Sequence, residues 1–320
     1  MIALSTQLVC QNGSKNSRTN SRFCCPRCQS TRIKKSGFFA RKTTNKKRVQ
    51  RYKCNMCNKS FSTQTFEWTY RERKSRLNQQ IFRDIVCGMS QRRIALRLNI
   101  NRKTVANKLK RIGKKAMYNH FFDMQKHKAE FKEVFFDEME TFEHTKMKPV
   151  SISLAVTPHR KILYAEAAQM PAKGLLARKS RKKYGPRQDF RPESLRRLMR
   201  LLSYTTVNQP YIVIIKSDES PRYPKYIKER FRSKDKNYIH QTFKGRRAVI
   251  AGLGELKEGG FDPLFSLNHS AAMFRDNLKT LSRRTWCTVK KIESLQNLLS
   301  IYIWSHNCLI AGEKFHKLQV

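Results

Sequence analysis

VFFDEMETF (134–142), VSISLAV (150–156) and KILYAEA (161–167) follow one another with only a few residues between them, and this stretch decides the fold. Each run is rich in β-branched and aromatic residues, and connections this short predict an antiparallel meander. Working outward, a basic loop with Gly and Pro covers Lys173–Arg191, and a helix is expected over Pro192–Leu202. A strand, YIVIIKSD (211–218), a helix over Pro224–Arg232 and a short strand near Tyr238–Thr242 come next. The last strong element is a helix from about Val289 to Asn307, in which Ile292, Leu295, Leu299 and Tyr302 share one face. Strands followed by interspersed helices predict an α+β class with a mixed sheet flanked by helices.

Three carboxylates stand out within this frame. Asp137 falls in the middle of the first β run, Asp218 where YIVIIKSD leaves its strand, and Glu293 on the apolar-faced final helix. A charge inside a core strand is costly unless it is paired or holds a cation. Three carboxylates that converge could hold two divalent ions, which activate an attacking hydroxyl and stabilise a leaving oxygen in phosphodiester chemistry. Glu138 alternates to the other face of its strand and is expected to be an ion-pair partner. Trp286 and Trp304, at helical positions, are expected in the core.

The charge balance points to the partner. Among 320 residues, 68 Lys+Arg face 23 Asp+Glu, a formal charge of +45. Such a charge argues about partners rather than fold, and double-stranded DNA is the expected one. No acidic residue precedes Glu67, whereas most of the carboxylates lie from Glu130 onward. A DNA-holding front and a back half that needs carboxylates for other work follow from that asymmetry. No apolar run approaches the ~18 residues a bilayer requires. The opening MIALSTQLVC lacks a basic start and a small-residue cleavage site, so a reducing cytoplasmic setting, with the chain at the nucleoid, is expected.

Two metal knuckles stand near the front. Cys25-Pro26-Arg27-Cys28 and Cys54-Asn55-Met56-Cys57 each offer two thiolates from one tight turn, and together they close a tetrahedral Zn²⁺ shell. Four thiolates leave no open position, so this zinc is structural. A helix over Leu77–Val86 then ends at Gly88, which suits a left-handed cap. Ser90 caps a helix Gln91–Leu98, and the turn Asn99-Ile100-Asn101 leads into Arg102–Ile112. This is the pattern of a helix-turn-helix whose second helix reads DNA, with Arg102, Lys103, Thr104, Asn107 and Lys108 toward the major groove.

The segments FFDEMETF, IIKSD and LNHSAAMFRDNLKTLSRRTWCTVKKIESLQNLLSIYIWSHN together resemble the DDE domain of bacterial insertion-sequence transposases, the insertion-sequence-one kind in particular. The resemblance runs from about Arg22 to Asn307 and is most specific over Asn268–Asn307. It implies a zinc ribbon, a helix-turn-helix and a ribonuclease-H-like domain. Asp137, Asp218 and Glu293 then look like the catalytic carboxylates, holding two Mg²⁺. Asn268, His269, Arg275 and Arg284 look like groups that position DNA or meet the transition state. The basic loop Lys173–Arg191 has no counterpart in the family.

The expected organisation is a flexible arm (1–20), a zinc ribbon (21–65), a helix-turn-helix (70–117), a linker helix (118–132) and the ribonuclease-H-like domain (133–310). The implied activity is cleavage at the terminal inverted repeats of an insertion sequence and joining of the 3′-OH to target DNA. Because two ends must meet in one complex, a homodimer or higher oligomer is expected. The rival reading is a zinc-ribbon/helix-turn-helix transcription regulator without catalysis. A tyrosine recombinase is disfavoured, because none of the eight His has an Arg three residues later.

Overall fold

The computed structural model describes residues 24–39, 48–126, 131–205, 212–232, 237–244, 248–250, 254–256, 262–282 and 286–320. The expected arm 1–20 and Arg284 lie outside them. The chain divides after Ser75 into two compact units.

In the first unit β1 (Ile33–Phe39), β2 (Val49–Cys54) and β3 (Ser60–Ser62) form an antiparallel three-stranded sheet in the order β1-β2-β3. So small a sheet buries little. Cys25, Cys54 and Phe61 make its core, with Ile33, Tyr52, Cys57 and Phe66 packed against them. Tyr52 stacks on Phe61 with ring centroids 5.8 Å apart.

The second unit opens with three helices, α1 (Asn78–Val86), α2 (Gln91–Arg97) and α3 (Arg102–Lys126). Ser90 caps α2 by accepting the Arg93 amide, and Gly88 takes the positive φ of 76° that lets the chain leave α1. Asn99, at φ 48°, turns the chain between α2 and α3. α3 continues unbroken through Ala116–Tyr118, where a domain helix and a separate linker helix were expected. No proline or glycine cap interrupts this segment, so nothing in the backbone ends the helix there.

Then comes the meander: β4 (Glu133–Phe142), β5 (Pro149–Val156) and β6 (Ile162–Gln169), each antiparallel to the last. α4 (Leu176–Tyr184) and α5 (Arg191–Thr205) lead to β7 (Val213–Asp218), and α6 (Tyr223–Arg232) leads to β8 (Tyr238–Phe243). The basic loop is thus in part a helix. β7 lies parallel to β4, and β8 lies parallel to β7. The five strands stand in the order β6-β5-β4-β7-β8, with the first strand of the meander at the centre. A small hairpin, β9 (Ala248–Ile250) with β10 (Gly254–Leu256), precedes α7 (Phe265–Asn277) and α8 (Ile292–Ile310).

Alternation sorts the central strand into two faces. Val134 and Phe136 join Ala155, Val213 and Ile215 in one buried cluster with Leu195, Leu198 and Met199 of α5 and Tyr226, Ile227 and Phe231 of α6. Phe135, Asp137 and Met139 point the other way. α8 is clipped to β6 through Gln296, whose side chain accepts the Ala167 amide and donates to the Ala165 carbonyl. Asn307, farther along α8, does the same at Ile162. α8 also lies along α3, where the two backbones close on each other: a Cβ built at Gly113 would stand 2.8 Å from Asn297 Cα. Among the described residues, no helix is long and apolar enough to cross a membrane.

Candidate functional site

The four knuckle cysteines meet. Their sulfurs all lie within 4.8 Å of one another, with Cys25–Cys57 and Cys28–Cys54 each at 3.5 Å. A tetrahedron with Zn–S bonds of ~2.3 Å has sulfurs about 3.8 Å apart, so the cluster has the size of a zinc shell. Backbone amides of Cys57 and Met56 pull the Cys54 thiol down to about 6. At Cys28 the Ser30 amide works in the same direction, but burial and the three neighbouring thiols prevail and push it up to about 12. Four thiols this close cannot all ionise without a cation among them. Cys24, beside Cys25, is buried outside the set.

The second cluster is a carboxylate pair. β4 and β7 run in step, Glu133 beside Ile214, Val134 beside Ile215 and Phe135 beside Lys216. Continuing that parallel register by two residues sets Asp137 next to Asp218, on the face turned away from α5 and α6. Burial pushes Asp137 up to about 6, and the Asp218 charge beside it acts in the same sense. Two groups oppose the shift: the Glu138 amide donates to Asp137 Oδ1 at 2.6 Å, and the Tyr223 hydroxyl donates to the same oxygen at 3.2 Å. β7 ends at Asp218 while β4 runs on, so the carboxylates sit where the inter-strand ladder stops.

Glu293 is not brought to that pair. It stands in the first turn of α8, more than half exposed, with its carboxylate 2.9 Å from Lys110 Nζ of α3. The Lys110 hydrogen bond and charge hold its carboxyl below the usual range. Among the described residues, the four cysteines are the sole group of three or more ligand types close enough to share an ion. The α8 N-terminus lies at the β4–β5 turn, beyond the end of β4. Val289 bridges Glu143, the residue that follows β4, and its carbonyl accepts the His144 amide at 2.7 Å.

His269 lies elsewhere. It packs on Phe265 at 5.6 Å and is close enough to His306 for their charges to repel. His306 is tied to the Arg160 carbonyl in the β5–β6 turn. That turn begins at Thr157, three residues beyond Leu154, the partner of Asp137 across β5. At ~3.3 Å per residue this is about 10 Å along the strand from the pair. α7 enters the sheet at this turn, through the Ser266 hydroxyl on the Pro158 carbonyl, and so delivers His269 there. Arg275 sits in the last turn of α7, where its carbonyl accepts the Ser282 hydroxyl.

Of the residues expected to read DNA, Arg102, Lys103 and Asn107 are exposed at the start of α3, and Thr104 is half-buried. Lys108 corrects the expectation. It is buried, and its ammonium donates to Asn78 Oδ1 at 2.8 Å, which ties α3 to α1. In a three-helix packing it falls on the inner face with Val105, Leu109 and Ile112. Trp286 is corrected in the opposite sense: it is fully exposed just ahead of α8. Trp304 is held at the helix surface by its indole N–H on the Gln319 carbonyl. Glu138 pairs with Arg222 and accepts the Ser151 hydroxyl.

Sequence reasoning missed Tyr223, Arg222 and Lys110. The first two lie between Asp218 and the first residue of α6 (SPRYP, 220–224), where a hydroxyl and a guanidinium just beyond a strand-end carboxylate were a legible signal. Lys110 had none, because its partner Glu293 stands 183 positions farther along the chain.

No family model and no curated protein matches the chain. Solved structures do. The Mos1 mariner paired end complex with Mn is similar at 12% identity, covering 47% of this chain and 54% of that one, with a TM-score of 0.21. The match therefore spans about half the length of that protein. The catalytic domain of Mos1 mariner transposase is similar at 11% identity over 64% of this chain and 95% of that one, TM-score 0.23. The Mos1 strand transfer complex is similar at 12% identity over 71% and 74%, TM-score 0.23. Superpositions this loose do not carry a fold or function assignment, which rests here on strand order, register and the two ligand clusters.

Proposed function

We propose that this chain is a DDE-type DNA transposase with a ribonuclease-H-like catalytic domain. The observation that carries the reading is the pair Asp137–Asp218, in register on adjacent parallel strands at the centre of a β6-β5-β4-β7-β8 sheet. A central strand flanked by an antiparallel meander on one side and parallel strands on the other is the plan on which such domains place two carboxylates. The raised Asp137 carboxyl supports it further, since a half-buried pair of like charges is stabilised by divalent cations.

Asp137 and Asp218 would hold Mg²⁺, and Glu293 would complete the set once its carboxylate turns from Lys110. Such ions supply a lowered pKa for an attacking hydroxyl and neutralise charge on the leaving oxygen. The chain's own share is positional. Tyr223 and the Glu138 amide fix one oxygen of Asp137, which leaves the other for a ligand. Arg222, locked to Glu138, stiffens the loop that follows Asp218. Recognition of element ends falls to α3, with Arg102, Lys103, Thr104 and Asn107 toward the bases, and to a zinc ribbon built on Cys25, Cys28, Cys54 and Cys57. Terminal inverted repeats, an insertion-sequence host element and a homodimer or larger assembly complete the proposal.

The test is metal-dependent cleavage of a duplex carrying the element end. The wild-type chain should nick it in Mg²⁺, while Asp137→Asn and Asp218→Asn should retain binding and lose nicking by at least ~10³-fold, the scale of losing a catalytic unit. Wild-type binding without nicking in either Mg²⁺ or Mn²⁺ would leave the DNA-binding regulator as the better reading. The ion pair of Glu293 with Lys110 is the observation that favours that rival.

A further inference from the structure

The segment from Lys173 to Asp189 is the strongly charged feature that the proposed chemistry does not use. Between Pro171 and Gln188 there is no acidic residue, and α4 itself reads LARKSRKKY. Arg178, Lys179, Arg181, Lys182 and Lys183 are all exposed, and none pairs with a carboxylate among the described residues. Arg178 with Lys182 and Lys179 with Lys183 are like charges one turn apart, an arrangement that destabilises a helix. A nine-residue helix is also marginal by itself.

It is held all the same. The buried Ser180 hydroxyl donates to the Met147 carbonyl at 2.6 Å, and the Lys148 ammonium lies 4.6 Å from the Tyr184 ring. Gly185 ends the helix at φ 75°, a conformation that side chains resist. Arg187 then anchors the exit through the Met170 and Pro149 carbonyls. Ser180, Ala177 and Tyr184 turn inward, so the cations share the outer face. The entrance is fixed too, by Lys173 on Glu140 of β4, three residues beyond Asp137. The anchor points, Met147 and Lys148, belong to the β4–β5 turn whose other side carries Val289 and Lys290 ahead of α8. The helix is therefore built on the β4–β5 turn, which starts six residues beyond Asp137 along β4, with its charges uncompensated.

We propose that the outer face of α4 is a docking surface for the phosphate backbone of double-stranded DNA, engaged without regard to sequence, at the β4–β5 turn. The choice of DNA as the polyanion rests on the transposase reading; the surface itself rests on α4. Nine residues at 1.5 Å each span ~13 Å. At ~3.4 Å per phosphate along one strand, that length covers about four phosphates, close to the five exposed cations.

The experiment uses the full-length chain with the four substitutions Arg178→Gln, Lys179→Gln, Lys182→Gln and Lys183→Gln, compared with Lys179→Arg/Lys182→Arg/Lys183→Arg. The dependence of log K on log salt is measured for a random duplex, and partitioning onto phosphatidylserine vesicles is measured in parallel. Every phosphate that the face no longer neutralises should lower the salt slope by ~0.9, so the slope should drop by about 2–4 in the Gln set and stay at the wild-type value in the Arg set. An unchanged slope in the Gln set, with circular dichroism matching the wild type, overturns the proposal. So does weakened vesicle binding with DNA binding intact, because the face would then serve a membrane. Asp137→Asn should keep the full slope while losing nicking, so failure of the catalytic reading and failure of the α4 surface are separately visible.

Discussion

At the residue scale Asp137 sets a pH dependence whose sign can be worked out. Its folded carboxyl sits at about 6, above its usual value of 3.8, because burial and the Asp218 charge disfavour the anion. The native state therefore binds this proton more tightly than the unfolded chain does. The stability it contributes is fully present below about 4, declines as pH rises through the window from 3.8 to 6, and is gone above it. Above that window the buried anion is a cost of up to ~3 kcal/mol, less where solvent screens it. Asp137→Asn should raise the melting temperature at pH 7.5 and flatten its fall between pH 4 and 6. Mg²⁺ should stabilise the wild type at pH 7.5 and leave the variant unmoved. A melting temperature that is the same in both proteins with and without Mg²⁺ would count against a metal at this pair. Lys110 gives a second residue-scale prediction. Its pairing with Glu293 is solvent-exposed and is worth under ~1 kcal/mol, so Lys110→Ala should barely alter melting. If that pairing competes with metal binding, the Mg²⁺ concentration for half-maximal nicking should fall in the variant. An unchanged midpoint would mean Glu293 is free to serve the metals with Lys110 present.

At the scale of elements the α3–α8 contact matters most. Gly113 has no room for a side chain: its added Cβ would stand 2.6 Å from Asn297 Cβ and 2.8 Å from Asn297 Cα. Backbone cannot step aside as a flexible side chain can, so Gly113→Ala must push the helices apart. Overpacking of this kind costs ~1–3 kcal/mol, partly offset by the better helix propensity of Ala. The displaced α8 carries Gln296, which clips β6, and Glu293 at its start. Nicking should therefore fall more than stability does. The measurement is urea unfolding beside single-turnover nicking, and equal, small effects on both would remove α3 from any role in placing α8.

Over the whole molecule, two units divided after Ser75 should respond to different reagents. The first has a core of Cys25, Cys54 and Phe61, so small that a metal held by the four cysteines would bind and fold it in one event. Cys54→Ser, or a strong chelator, should abolish its structure and release about one zinc per chain by elemental analysis. The second unit has its own core of sheet and helices, and its thermal transition should shift by no more than ~2 °C, within the range of an unaffected domain. A first unit that stays folded with no metal bound would refute the zinc assignment.

The sequence alone determined whatever depends on local spacing. Two C-x₂-C turns declared a four-cysteine cluster, since a tight turn fixes each cysteine pair whatever surrounds it. Short connections between VFFDEMETF, VSISLAV and KILYAEA declared an antiparallel meander, because a few residues permit no other pairing. Asp137 and Asp218 were legible as charges where β-rich runs predict buried backbone. What the tertiary structure decided depends on which faces meet. That Asp137 and Asp218 lie side by side follows from the register of β4 on β7, a long-range pairing that no periodicity records. Lys108 turns inward because α1 supplies Asn78, and Trp286 is fully exposed just ahead of α8. Glu293 rests on Lys110 because α8 lies along α3. A helix declares its apolar stripe in its own sequence, but the partner that covers the stripe, and the charge it brings, is fixed only when the chain closes on itself.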